Sequence, residues 1–330
     1  MRARRLWRTT AGLAALVVVA GTVPATAAGV RPGWTVAVVD QTSRRVLVVR
    51  GADDEPLDYR GPDREPVIWS WSADTAGDLG DLDPRRSWEL PDEAKTRVRD
   101  GRRYLVTTAS GGLAALVDTA SGATVWAVDT GPLANPHSAE LLPDGNVAVA
   151  ASSGGWIRLY AASLGPRTTA HTEHRLRGAH AVHWDERARL LWALGDDTLT
   201  ALRVGGTPAA PLLTVERTLP LPEPGGHDLA PVLAEPGRLW VSTAEHLWRF
   251  DPAADRFTRL RLGSEGAERD IKSVGDEPGT GRLLTAAPDH TGSCSWCTSA
   301  LTLHRPDGRW RLPGTHLYKA RWWTSWGIGA

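Results

Sequence analysis

Short strand-forming runs recur along this chain at nearly constant spacing, and that repeat restricts the fold more than any other feature. The series is Val36-Ala37-Val38-Val39, Tyr104-Leu105-Val106-Thr107, Val147-Ala148-Val149-Ala150, Leu190-Leu191-Trp192-Ala193, Leu239-Trp240-Val241-Ser242 and Leu283-Leu284-Thr285-Ala286. After the first interval, successive members lie about 43 to 49 residues apart, the period of a four-stranded propeller blade. A turn and a further run follow each, as in Gly111-Gly112 before Leu113-Ala114-Ala115-Leu116. No long segment carries a helical period. Many short strands at regular turn spacing read as an all-β repeat fold. Six copies predict a six-bladed β-propeller; seven blades, a pair of sandwiches and an open solenoid are the rivals. The C-terminal segment 316–322 reads as the missing first strand of the first blade. Pairing it with 36–39 would close the ring and remove the exposed edges of an open array.

Residues 1–27 read as a signal peptide. Arg2, Arg4, Arg5 and Arg8 form a basic start, an apolar stretch runs from Ala11 to Val23, and Ala25-Thr26-Ala27 offers a small-residue cleavage site. That stretch is short for a membrane span of roughly 20 residues. Cleavage would leave a secreted or extracytoplasmic protein with no stable membrane span. Residues 28–330 then form a single propeller domain, with an Asp/Pro/Gly-rich insertion at about 51–86 that lengthens the first interval. Formal net charge is zero, so no overall field favours nucleic acid or membrane. A monomer is expected. The sixteen tryptophans against two phenylalanines fall mostly in or beside strand runs and read as core.

The chain has three lysines among its 38 Lys and Arg residues: Lys95, Lys272 and Lys319. Lys95 and Lys272 precede strand runs of the series at a distance similar to that of His137, His180 and His227, and Lys319 holds the corresponding place in the C-terminal segment that would complete the first blade. The inner strand of a propeller blade starts at one face and lines the central channel. Six nitrogen groups would therefore converge at one channel mouth. Crowded cations disfavour a metal, so no metal and no cofactor are expected there; an anion is the better guest. Glu93, Glu140, Asp228 and Asp270 lie close by in sequence, as candidates to orient the ring or serve as general base. Water-filled, polar channel mouths are common in propellers, and that is the plain alternative. Trp184-Asp185 resembles the WD dipeptide without the rest of that repeat's signature. His171, His174, His246, His290, His304 and His316 fall outside the register and read as surface or core.

Cys294 and Cys297 are the two cysteines. In an exported all-β chain a local disulfide is the expected state; a zinc site completed by His290 and His304 is the alternative.

Several motifs together carry a family resemblance. They are Asp40-Gln41, Asn135-Pro136-His137-Ser138-Ala139-Glu140 with Leu142-Pro143-Asp144-Gly145-Asn146, Gly226-His227-Asp228-Leu229, Ile271-Lys272-Ser273 and Tyr318-Lys319-Ala320-Arg321. With them the chain resembles a family of secreted bacterial propellers classed as a domain of unknown function. The resemblance implies a six-bladed propeller and export, and brings no activity. The basic channel is also broadly similar to that of propeller lyases and hydrolases acting on uronate-containing glycans. The expected function is binding of an anionic small molecule or acidic glycan at the mouth, with lysines neutralising a carboxylate and a histidine available as acid or base. The alternative is a non-catalytic extracellular module that presents a face to a protein or glycan. The sequence does not identify a reaction.

Overall fold

Aspartate-led turns punctuate the blades. The Asp40 carboxylate accepts hydrogen bonds from the backbone N–H groups of Thr42 and Ser43. Asp118 does the same for Ala120 and Ser121, and Asp185 for Arg187 and Ala188. A left-handed residue follows four positions after each: Arg44 at φ 54°, Gly122 at 74° and Arg189 at 52°. The carboxylate thus satisfies the turn's donors while the left-handed residue reverses the chain into the next strand.

The computed structural model describes residues 33–52, 57–263, 266–290 and 294–323. They form six four-stranded antiparallel sheets, the blades of one propeller. Blade 1 is built from both ends of the described chain: Leu317–Trp322 pairs with Gly33–Asp40, followed by Arg45–Ala52 and Val67–Trp71. The register sets Val36 against Trp322 and Val38 against Ala320. The signal-peptide reading lies outside the described residues.

The insertion expected at 51–86 is in part an ordinary blade element. Val67–Trp71 is the outer strand of blade 1. Turns, a 3-10 turn at Gly80–Leu82 and a short helix at Pro84–Ser87 then lead into blade 2. Its turn-rich composition concealed a five-residue strand in which burial alternates but Ile68, apolar yet exposed, breaks the apolar–polar alternation of the sequence.

The inner strands of blades 2 to 6 are Pro91–Arg99, Pro136–Leu141, Ala181–Asp185, Asp228–Pro231 and Ser273–Asp276. The six runs of the series are the second strands, one per blade. They are nearly continuous in Val, Leu and Ala because both faces are covered by neighbouring blades. Six apolar clusters fill the spaces between blades.

The tryptophans explain their own excess over phenylalanine. Trp126 in blade 2 donates its indole N–H to Thr168 O of blade 3 at 2.9 Å. Trp71 of blade 1 reaches Gly122 O of blade 2 at 3.2 Å, and Trp322 of blade 1 reaches Gly275 O of blade 6 at 3.0 Å. Each ring fills the space between blades while its N–H ties the next blade's backbone, which phenylalanine cannot do. A buried tryptophan removes roughly 200 Å² from water, a stabilisation of about 5 kcal/mol at ~25 cal/mol/Å².

Candidate functional site

Left-handed backbone positions select the residues at the channel mouth. Leu90, Asn135, Gly178, Gly225 and Asp270 have φ between 50° and 82°, and two positions after each comes Asp92, His137, His180, His227 or Lys272. The kink turns the following residue toward the axis. In blade 1 a bulge in the inner strand puts Tyr318 at the equivalent place. Glycine is needed beside His227 for a second reason: a Cβ on Gly226 would lie 2.2 Å from the carbonyl oxygen of Gly195 in the neighbouring blade. That close approach brings His227 beside His180.

The mouth ring is therefore Asp92, His137, His180, His227, Lys272 and Tyr318. The imidazoles of His137 and His180 lie 4.7 Å apart between centroids, those of His180 and His227 5.4 Å apart. The Lys272 ammonium is 2.8 Å from Nε2 of His227, and Tyr318 stands edge-on to His137 at 5.7 Å.

The ring expected from sequence is corrected at two places. Lys95 lies three ladder positions beyond Asp92, and Lys319 one beyond Tyr318. Both are buried inside the channel, 4% and 0% exposed. The Lys95 ammonium donates to Ser138 Oγ and to the carbonyls of Ala139 and Val182 at 2.8, 3.2 and 2.6 Å. Lys319 donates to His137 O at 2.9 Å and lies 3.5 Å from Glu93 and 3.8 Å from Asp228. Neither is available to a guest at the mouth. Aligning repeats by residue type put them in the ring; the hydrogen-bond ladder, with its bulges, places them below it.

Below the ring the channel is filled by a charge network. Arg321 grips Glu93 through 2.9 and 3.1 Å contacts and Asp228 through two at 2.6 Å. Glu140 receives a bidentate pair from Arg97, both at 2.6 Å, and has His183 at 3.7 Å. Burial raises the pKa of Glu93, but Arg321, Lys319 and Lys95 outweigh it and hold the carboxyl well below its usual range. Burial likewise opposes ionisation of Glu140, and Arg97 foremost overcomes it, leaving a pKa of about 2. Burial lowers Lys95 to about 8, against the pull of Glu93 and Glu140. Asp228 and Glu140 therefore serve the channel network and do not orient the ring. Asp270 sits beside the mouth, 3.9 Å from Lys272. Arg97, Arg321 and His183 are channel groups that the repeat pattern does not mark.

The three histidines share one arrangement. Each directs Nδ1 at the carbonyl two residues earlier: Asn135 at 3.1 Å, Gly178 at 2.9 Å and Gly225 at 2.8 Å. A carbonyl only accepts, so Nδ1 carries the hydrogen and the neutral ring keeps its lone pair on Nε2. Burial first, then neighbouring positive charge, holds all three neutral. His137 is pushed well below its ordinary value by burial, His180 and Lys319. His180 lies at about 4 and His227 at about 3, the latter by burial and then Lys272. Burial raises Asp92 well above the carboxylate range and Tyr318 above the phenol range. The mouth thus combines one ammonium, three neutral imidazoles, a phenol and a carboxyl group whose ionisation burial opposes.

Cys294 and Cys297 are joined by a disulfide, with Cα atoms 5.8 Å apart. The zinc alternative with His290 and His304 is corrected, since the imidazole near the sulfurs belongs to His316. His304 instead meets Thr285 Oγ1 at 3.0 Å. No helix among the described residues is long and apolar enough to cross a membrane.

Sheet order, ring closure and a channel capped by titratable groups define a six-bladed β-propeller. The chain belongs to the family of unknown function DUF6528, whose model matches residues 31–327. Among solved structures, a protein of unknown function from Bacteroides caccae is similar at TM-score 0.52 and 10% identity, over 88% of this chain and 98% of that one. A streptogramin B lyase aligns at TM-score 0.47 and 13% identity, over 67% and 68% of the two chains. The dihydro-heme d1 dehydrogenase NirN aligns at 0.43 and 14%, over 82% of this chain and 51% of its own. At these identities the likeness to the first extends to the fold and no further. A search of curated proteins found no match.

Proposed function

We propose that the channel mouth binds an acidic, hydroxyl-bearing small molecule or glycan end, and that binding takes up protons. The observation that carries this reading is the row His137, His180 and His227, each locked through Nδ1, with the Lys272 ammonium beside it. Lys319 lowers the proton affinity of all three imidazoles, and Lys272 that of His180 and His227. The local field is thus positive, which attracts an anion. Lys272 is the charge partner for a carboxylate. The Nε2 lone pairs of His137 and His180 accept from ligand hydroxyls, and an approaching anion raises the imidazole pKa so that Nε2 becomes a donor. A neutral imidazole held in one tautomer also meets the first requirement of a general base. Binding is the reading; catalysis is a question for the same experiment.

The test is calorimetry of the protein with galacturonate and glucuronate oligosaccharides, using neutral galactose and glucose oligosaccharides as controls. Runs in buffers of different ionisation enthalpy measure the protons taken up. Selective binding of the acidic sugars is expected, tighter as pH falls toward about 4, because protons are taken up between the raised imidazole values of the bound site and those of the empty site, about 4 for His180 and about 3 for His227. Lys272→Ala should weaken it by roughly 1.5–3 kcal/mol. Equal binding of neutral sugars, or an unaffected Lys272→Ala variant, would sink the proposal. New ultraviolet-absorbing unsaturated products would identify the site as a lyase.

Export to an extracytoplasmic compartment is part of the same proposal. It is supported by the basic and apolar pattern of residues 1–27, and the disulfide is compatible with it. N-terminal sequencing of the protein from culture medium should begin near residue 28. An intact start found only in the cytoplasmic fraction contradicts it.

A further inference from the structure

The seam where the propeller closes holds a second group of chemically competent side chains, unrelated to the mouth ring. Cys294 and Cys297 precede the third strand of blade 6, Ala300–His304. His316 immediately precedes the strand that completes blade 1, Leu317–Trp322. The two segments are fastened by a reciprocal bridge: Thr298 N–H to Leu317 O at 3.0 Å and Leu317 N–H to Thr298 O at 2.7 Å. His316 is tied further, its N–H donating to Asp40 Oδ1 at 3.0 Å. The backbone thereby fixes both sides of the group before any ion arrives.

Both sulfurs and one imidazole nitrogen of His316 lie within 4.8 Å of one another. The cysteines are buried, at 9% and 3% exposure. Their Cys-x-x-Cys spacing presents two sulfurs from one tight loop, as zinc sites require. Two thiolates and an imidazole form a soft donor set that selects zinc-class ions over calcium or magnesium.

We propose that, when the disulfide is reduced, Cys294, Cys297 and His316 bind a thiophilic divalent ion of the zinc class. The ion fastens the last blade to the closing strand. Among the described residues no other His, Cys, Asp or Glu joins this group. Binding converts two thiols to two thiolates and releases two protons. A disulfide oxidant such as oxidised glutathione reverses it: the two sulfurs lose two electrons and join, the oxidant takes those electrons and two protons from solvent to become two thiols, and the ion leaves. The seam is then held by either a disulfide or an ion, according to the redox state around it.

Cobalt(II) is the probe. The full chain is reduced with a phosphine, freed of reductant without air and titrated with the ion. A near-ultraviolet thiolate-to-cobalt band with the visible bands of tetrahedral cobalt is expected, lost on adding zinc. This band requires sulfur ligands, so cobalt at the mouth histidines cannot mimic it. Cys294→Ser with Cys297→Ser should abolish it. His316→Ala should keep a weaker band and lower the affinity by roughly 10-fold or more, since even groups that only support a ligand contribute that much. The oxidised protein should give no band. A reduced wild type without the band, or a His316→Ala variant of unchanged affinity, overturns the proposal.

Discussion

Lys272 aims its ammonium at Nε2 of His227 from 2.8 Å, so the one lysine at the channel mouth holds the adjacent imidazole in its neutral form. Burial and then this charge keep His227 at about 3. Lys272→Met should therefore raise its titration midpoint by roughly one unit, ~1.4 kcal/mol of interaction. Histidine NMR titration reads this directly. A midpoint that stays in place would show that burial alone sets the value.

Acid should weaken the fold before the carboxylates protonate. In the unfolded chain a histidine binds a proton below ~6.5, whereas folded His180 and His227 resist until about 4 and about 3. Between those values the unfolded state holds more protons, so stability is full above pH ~6.5 and falls as pH drops toward 4. Each group adds a slope of up to ~1.4 kcal/mol per pH unit. Urea unfolding at several pH values should show this loss, and a His180→Gln variant should show a shallower one. Equal slopes would contradict the assignment.

Arg321 is the keystone of the channel, since its guanidinium hydrogen-bonds Glu93 twice and Asp228 twice. Arg321→Met leaves two buried carboxylates to share Lys319, and should cost about 3–5 kcal/mol in chemical unfolding. Adding Glu93→Gln to that variant should recover part of the loss. If the single variant is as stable as wild type, the network contributes nothing to the fold.

Ending the chain at residue 316 should prevent folding. The truncation removes the inner strand of blade 1, Lys319 and Arg321 together, and bares the edge at Gly33–Asp40. Far-ultraviolet circular dichroism and light scattering should report an aggregated or unfolded product. A soluble, cooperatively folded truncation would mean that the ring closes without its last strand.

Much of the ring's register is present in the sequence, under a signal other than the recurrence of basic residues. Asn135, Gly178, Gly225 and Asp270 are residue types that tolerate left-handed backbone, and each stands two places before a mouth residue. Two places after the mouth residues come Ala94, Ala139, Val182, Leu229, Val274 and Ala320, all fully or nearly fully buried apolar positions. Counting back from these apolar positions yields Asp92 and Tyr318 in place of Lys95 and Lys319. Leu90 concealed the first of these, because leucine rarely adopts the left-handed conformation that it has here.

The sequence by itself determined the blades, their number and the closing strand. Those follow from local rules: strand propensity, turn chemistry and a repeat period that only stacked sheets satisfy. It also placed His137, His180, His227 and Lys272 at corresponding points of their repeats. Only the tertiary structure decided which charges face a guest and which face one another. Glu93 and Arg321 are 228 residues apart in the chain, yet 2.9 Å apart in the channel. One bulge moves a side chain from the mouth into that network, and no spacing along the chain reports a bulge. The chemistry of the site was settled there, because a charge is available to a ligand only where the fold has not already paired it.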